Sequence, residues 1–145
     1  MTTEANSHHS VSDIRVRYQE TDQMGIVYHA NYLVWFEVGR SDFTRGLGIH
    51  YQDIEDKGLL LPIIQVQCRY ISPAKYDDEI QVYTELEKLE GSKMSFRYEV
   101  KRKLDGQRLV TGQTDHLWVN SEMKRVRIED YFPDMYQKLT KPTNV

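Results

Sequence analysis

The stretch Thr21 to Glu37, TDQMGIVYHANYLVWFE, sets an acid, a glycine and a histidine directly ahead of Tyr28, Tyr32, Trp35 and Phe36. Asp22 can attack as a nucleophile or take a proton from water, and the His29 ring can exchange protons near neutral pH. Gly25 lets the chain between them turn tightly. The N–H groups that open a helix carry partial positive charge, so the backbone around His29 can hold a developing oxyanion. The plainer alternatives are an Asp22 that caps the helix and a His29 that only closes its entrance.

Other reactive side chains are less suggestive. Glu20 and Glu37 could pair with Asp22, but charged residues beside a helix start are usually solvated. His50 and His116 stand alone and read as surface or core residues. His8 and His9 are adjacent but lack further ligands at a suitable spacing, so no metal site is expected. Cys68 sits among apolar neighbours and reads as packing. No serine stands in a nucleophile-elbow pattern, and no glycine loop has the form that cradles nucleotide phosphates.

The elements that must position Asp22 and His29 follow from periodicity. From Val11 to Gln19, Ile14, Val16 and Tyr18 alternate with charged residues, the two-residue period of a half-buried strand. From about Ala30 to Gly46, Tyr32, Trp35, Phe36, Gly39 and Phe43 recur at spacings of three and four, one face of a long helix. Gly39 costs helix stability, which points to a close approach between helix and sheet. Gly46 and Gly48 stop the helix. After the polar segment HYQDIEDKG come four strand-like stretches, LLLPIIQVQCRYI, DEIQVYTELEKL, KMSFRYEVKRKL and QRLVTGQTDHLWVN, separated by turn residues. They read as an antiparallel meander, and YFPDMYQKL reads as a short closing helix. The expected class is α+β, with five antiparallel strands and one long helix. One helix covers one face of one sheet and leaves open strand edges, so a second copy is expected to complete the fold.

With 145 residues the chain is expected to form one domain at residues 11–145, preceded by a disordered tail at residues 1–10 that lacks any hydrophobic period. Hydrophobic residues at 39% and charged residues at 28% fit a soluble protein, and no apolar run approaches the ~20 residues of a membrane span. The single cysteine excludes an internal disulfide, and the N-terminus lacks the pattern of a secretory signal, so a cytoplasmic location is expected. A net charge of −3 argues against a surface built for nucleic acid but allows a local basic site for an anionic ligand. Ten tyrosines suit pockets and interfaces, where apolar contact and hydrogen bonding are wanted together, and suit strands equally well.

The order of strand, ETDQMGIVYHANYLVWFEVGR and further strands, with YDDEIQVYTELEKL leading the third strand, resembles the hotdog-fold acyl-CoA thioesterases of the 4-hydroxybenzoyl-CoA thioesterase family. The similarity runs over roughly Asp13 to Pro133. Its most specific element is Asp-x-x-Gly-(Ile/Val)-Val-Tyr-His-x-x-Tyr, here Asp22, Gly25, Ile26, Val27, Tyr28, His29 and Tyr32. The resemblance implies a hotdog fold, a curved sheet wrapped around the helix, with active sites between the subunits of a homodimer or homotetramer. It implies hydrolysis of acyl-CoA to free acid and coenzyme A, with water as cosubstrate and no cofactor or metal. Asp22 would be the nucleophile or general base, and the amide at His29 would polarise the carbonyl while the ring orients Asp22 or water. Gly25, Tyr28 and Tyr32 would shape the substrate site. The family meets the nucleotide near the turn LEGSKMS, which selects Ser92 and Lys93, then Lys88 and Arg97. Glu90 and Gly91 depart from members with consecutive basic residues there. The alternatives are a non-catalytic acyl-CoA-binding or sensing module, and a hotdog dehydratase of hydroxyacyl thioesters.

Overall fold

A computed structural model describes residues 8–140. In chain order the elements are β1 (His9–Arg15), α1 (Asn31–Gly46), α2 (Tyr51–Asp56), β2 (Ile63–Tyr70), β3 (Glu79–Glu90), β4 (Lys93–Arg102), β5 (Arg108–Leu117), α3 (Ile128–Tyr131) and α4 (Pro133–Thr140), with a 3-10 turn at Tyr18–Glu20. The strands form one antiparallel sheet in the order β1-β3-β4-β5-β2. No helix among the described residues is long and apolar enough to cross a membrane.

The stripe Tyr32, Trp35, Phe36, Gly39 and Phe43 is the buried face of α1, as its spacing requires. Phe36 lies flat on Tyr98 of β4, ring centroids 4.3 Å apart, and its edge fills the space left by Gly112 of β5, where a Cβ would sit 2.4 Å from Cζ. At Gly39 a Cβ would stand 2.3 Å from Thr84 Oγ1 of β3. The two glycines, one on each side of the interface, let an aromatic helix lie against a sheet whose own inward residues include Ile80, Val82, Leu86, Phe96 and Val100. The result is the expected α+β hotdog arrangement, a five-stranded antiparallel sheet around one long helix.

Three local expectations are corrected. The strands after α1 are not a simple meander. β3, β4 and β5 follow one another, but β2 crosses to the far edge and pairs with β5, Ile63 opposite His116 and Tyr70 opposite Val110. The connection from β2 to β3 is tied down at both ends of its course and cannot act as a hairpin turn. The Val27 N–H donates to Ala74 C=O, and Val16 N–H donates to Asp78 C=O, each at 2.9 Å. Secondly, His8, His9 and Ser10 of the expected tail are part of the fold; residues 1–7 lie outside the described residues. β1 starts at His9 because His9 and Ser10 pair with Glu85 and Thr84, and the His8 ring packs on Phe43. It ends at Arg15, where the chain turns away toward the 3-10 turn. Thirdly, the polar segment after α1 contains α2, anchored by buried Ile54. A single apolar residue in HYQDIEDKG carries no period from which a helix can be read.

Substituting Gly39→Ala adds a methyl group where Thr84 has no room to receive it. Overpacking should outweigh the gain in helix propensity and cost about 1–3 kcal/mol, measured by urea unfolding of the wild type and variant.

Candidate active site

The segment between β1 and α1 is folded back on itself. Asp22 N–H donates to Ile26 C=O, Gly25 N–H returns to Asp22 C=O, and Thr21 bridges Val27. Gly25 makes the reversal at φ +80°, the left-handed region where a side chain is strained. One carboxylate oxygen of Asp22 accepts the Met24 N–H at 2.9 Å. Its other oxygen has no hydrogen-bond partner among the described residues. Asp22 therefore braces its own loop and does not cap α1.

Glu20 departs most from expectation. It is only 6% exposed. One carboxylate oxygen accepts the indole N–H of Trp35 at 2.9 Å, and the other accepts the backbone N–H of Arg17 at 2.8 Å. Its main-chain carbonyl accepts both Tyr28 N–H, at 2.9 Å, and the Asn31 side-chain amide, at 2.8 Å. It is a structural tie and does not pair with Asp22. Glu37 is exposed on α1 and takes no part either. The one sequence signal for Glu20 is the need of a buried Trp35 indole for an acceptor.

The start of α1 is uncapped. Ala30 stands at the N-cap with no side-chain bond, so neither Asp22 nor His29 serves there. Asn31 N–H reaches Tyr28 C=O at 2.9 Å and Tyr32 N–H reaches His29 C=O at 3.4 Å. The N–H groups of His29 and Ala30, between these, have no backbone acceptor among the described residues.

A cavity of about 260 Å³ lies at this junction, lined by Asp22, Ile26, His29 and Tyr32 and by Tyr70 and Pro73 from the end of β2 and beyond. The Tyr70 phenol donates to His29 C=O at 3.0 Å, and its ring meets Tyr32 edge-on at 5.5 Å. Tyr32 accepts the Ala74 N–H through its hydroxyl oxygen at 3.2 Å. Burial of the Tyr32 ring, and desolvation of the Tyr70 hydroxyl on an otherwise half-exposed ring, push both phenols above their ordinary range, so both stay neutral. Sequence reasoning missed Tyr70, because strand alternation alone does not reveal which end of β2 meets the helix.

The structure thus brings Asp22, His29 and Tyr32 to one cavity. Gly25 shapes the loop behind it, and Tyr28 lies outside the wall with its ring 4.5 Å from the His29 ring. Ser92 and Lys93 are not near it in the same chain. They occupy the β3–β4 turn, while the Asp22 loop adjoins the start of β3, and the 12 residues of that strand span roughly 36 Å at ~3.3 Å each. Lys88 pairs with Glu90, and Arg97 with Glu85 and Glu87. Arg97 and Glu85 also line a larger groove, about 500 Å³, on the outer face of the sheet. Its Arg97 is held by Glu85 and Glu87, and the groove lies away from the Asp22 loop and the start of α1, so the smaller cavity is the candidate site. Among the described residues no three His, Cys, Asp or Glu side chains are grouped to hold a metal ion.

Residues 16–139 match the thioesterase-like superfamily. The chain belongs to this family. The thioesterase-like chain is 40% identical over 130 residues to YneP of Bacillus subtilis (strain 168), described as a candidate acyl-CoA thioesterase, covering 89% of this chain and 94% of that one. It is 34% identical over 90 residues to the acyl-CoA thioesterase YbgC of Haemophilus influenzae, covering 61% and 66%. The crystal structure of a DHNA-CoA thioesterase from Staphylococcus aureus superposes with a TM-score of 0.86 at 34% identity, covering 90% of this thioesterase-like chain and 87% of that one.

The remaining candidates lie outside the cavity. His50 precedes α2 and is exposed, and Cys68 is half-buried in β2, where burial raises its thiol pKa. His116 is 1% exposed. A neutral ring with its proton on Nδ1 satisfies both its neighbours: Leu61 C=O at 3.3 Å and, at Nε2, the Thr114 hydroxyl at 2.8 Å. Burial, and then the Arg40 charge, lower its pKa from 6.5 to about 4. The unfolded chain therefore binds the extra proton first. Stability from this group is complete above about pH 6.5 and is lost as pH falls to about 4, by an amount on the order of 3 kcal/mol. Urea unfolding at several pH values should show this slope in the wild type and not in His116→Gln.

Proposed function

We propose that this thioester hydrolase cleaves acyl-CoA to the free acid and coenzyme A, with Asp22 as nucleophile or general base. The observation that carries the reading is a single cavity that holds the half-free Asp22 carboxylate beside the uncapped start of α1. A thioester carbonyl seated there would turn its carbon toward Asp22 and its oxygen toward the N–H groups of His29 and Ala30. In one course Asp22 adds to the carbon, the C–S bond breaks, and water later hydrolyses the acyl-aspartyl anhydride. In the other, Asp22 takes a proton from water as the water adds, and the thiolate then leaves. The His29 ring is suited to orient the water or Asp22. The acyl-CoA thioesterase names of its relatives support the same substrate class.

The reading includes a second copy of the chain. β2 is an edge strand with every residue but Cys68 exposed, including Ile63, Ile64, Val66 and Tyr70. Leu33, Val34 and Val38 add exposed apolar surface on α1. Bare edges and apolar patches of this kind are what a pairing partner covers. Lys93 is opposite Leu117, next to the end of β2 that carries Ile63. Two β2 strands paired antiparallel would exchange ends, bringing the Ser92–Lys93 turn of each chain toward the Tyr70 end and the Asp22 cavity of the other. A homodimer, or a homotetramer of such pairs, then has its nucleotide contacts supplied across the interface.

Asp22→Asn keeps the shape and removes the charge. Single-turnover hydrolysis of acyl-CoA should fall by at least ~100-fold, with little change in affinity for a non-hydrolysable analogue. Turnover close to wild type in this variant would refute the assignment. Lys93→Ala should raise KM for acyl-CoA roughly 5-fold, the effect of losing about 1 kcal/mol of surface charge pairing, and leave KM for an acyl-pantetheine without the nucleotide unchanged. Equal effects on the two substrates would place Lys93 away from phosphate.

A further inference from the structure

We infer that Tyr70 is a positioning residue for the hydrolysis: its phenol fixes the peptide between His29 and Ala30 and so aims the Ala30 N–H at the substrate's carbonyl oxygen. The inference rests on the thioesterase reading above and names a residue that takes no direct part in that chemistry.

A peptide unit is planar and trans, so its C=O and N–H point in opposite directions and turning one turns the other. The plane that carries the Ala30 N–H is the plane that carries the His29 C=O. That carbonyl has two partners. Tyr32 N–H reaches it at 3.4 Å, a long bond, whereas the Tyr70 phenol reaches it at 3.0 Å. The stronger hold on the plane is therefore a side chain from the sheet and not the helix itself. At the other end of the same peptide, the Ala30 N–H has no backbone acceptor among the described residues, and no side chain caps this end of α1.

Tyr70 is well placed to act as a fixed bracket. It is the last residue of β2 and stands opposite Val110 of β5, so its backbone belongs to the sheet. Its ring is braced edge-on by Tyr32 at 5.5 Å and by His29 at 6.2 Å. Desolvation of the hydroxyl, and then the neighbouring Cys68 thiol, raise the phenol's pKa and keep it protonated; with the thiol donating to the phenol oxygen, the phenol's own proton goes to the His29 carbonyl. It can thus direct the peptide without serving as an acid. An oxyanion donor contributes through preorganisation, since it need not reorient as charge develops. Loosening the plane should lower the rate of the chemical step and leave ground-state binding alone.

The test is Tyr70→Phe, which removes one oxygen and keeps the ring. The assembled variant should lose ~10-fold in kcat, with KM for acyl-CoA and Tm close to wild type, less than the ~100-fold or more lost when an oxyanion donor is removed outright, because the Ala30 N–H remains and only its aim is loosened. The amide resonance of Ala30 should shift in the ¹H–¹⁵N spectrum of the ligand-free variant. An unchanged kcat would overturn the inference, as would a loss explained by higher KM or lower Tm, or an Ala30 resonance at its wild-type position. If the wild type hydrolyses no acyl-CoA, the functional reading fails, and the Ala30 resonance then decides the positioning role by itself.

Discussion

The Glu20 carboxylate is out of water, and the attachments of this residue converge from three directions. The Trp35 indole binds the carboxylate from α1 and the Arg17 amide from the chain just beyond β1, while the Glu20 main-chain carbonyl gathers Tyr28 and Asn31 from the far side of the loop. A buried carboxylate is tolerable only when its oxygens are satisfied, and hydrogen bonds to a charged group contribute about 1.5–3 kcal/mol each. Loop and helix are therefore joined at a point that neither can leave cheaply. This explains how the same junction can leave other polar groups open. Among the described residues one Asp22 oxygen has no hydrogen-bond partner and the His29 and Ala30 amides have no backbone acceptor, while the Glu20 tie holds the loop in place. Rigidity supplied from behind is the condition for preorganised chemistry in front.

Those features differ in how plainly the sequence shows them. The buried face of α1 follows from the spacing of Tyr32, Trp35, Phe36, Gly39 and Phe43, since a helix offers a stripe at that period one direction to face. The close approach at Gly39 follows too, because a glycine mid-helix needs a reason. Asp22 and His29 stand out by chemical type near a predicted helix start. Glu20 does not, for a burial decided by an indole fifteen positions away leaves no local mark. Tyr70 is hidden for a similar reason. Its partner lies across the sheet, and the strand order that brings it there is a property of the whole chain.

The crossing of β2 is the clearest case. Each strand carries its own pattern, but whether it pairs with a neighbour in sequence or, as β2 does, with β5 is not written in that pattern; the segment from Ile71 to Asp78 carries the chain from one sheet edge toward the other. That segment is stitched to Val16 and Val27, residues on the other side of the chain's first loop. The same stitching builds the Pro73 side of the cavity. The sheet order and the cavity thus share one segment, and individual strand patterns do not show how the strands are ordered.

That order also bears on how the protein is made. On a growing polypeptide β2 emerges early, yet the strand it must lie beside, β5, is among the last parts of the sheet to appear. Contacts so distant along the chain form late, after the closure of long loops. Throughout most of synthesis, then, the segment with exposed isoleucine and valine has no sheet to join and stays open to neighbouring nascent chains. The surface most prone to association is completed only when nearly the whole domain is present to give that association the correct geometry.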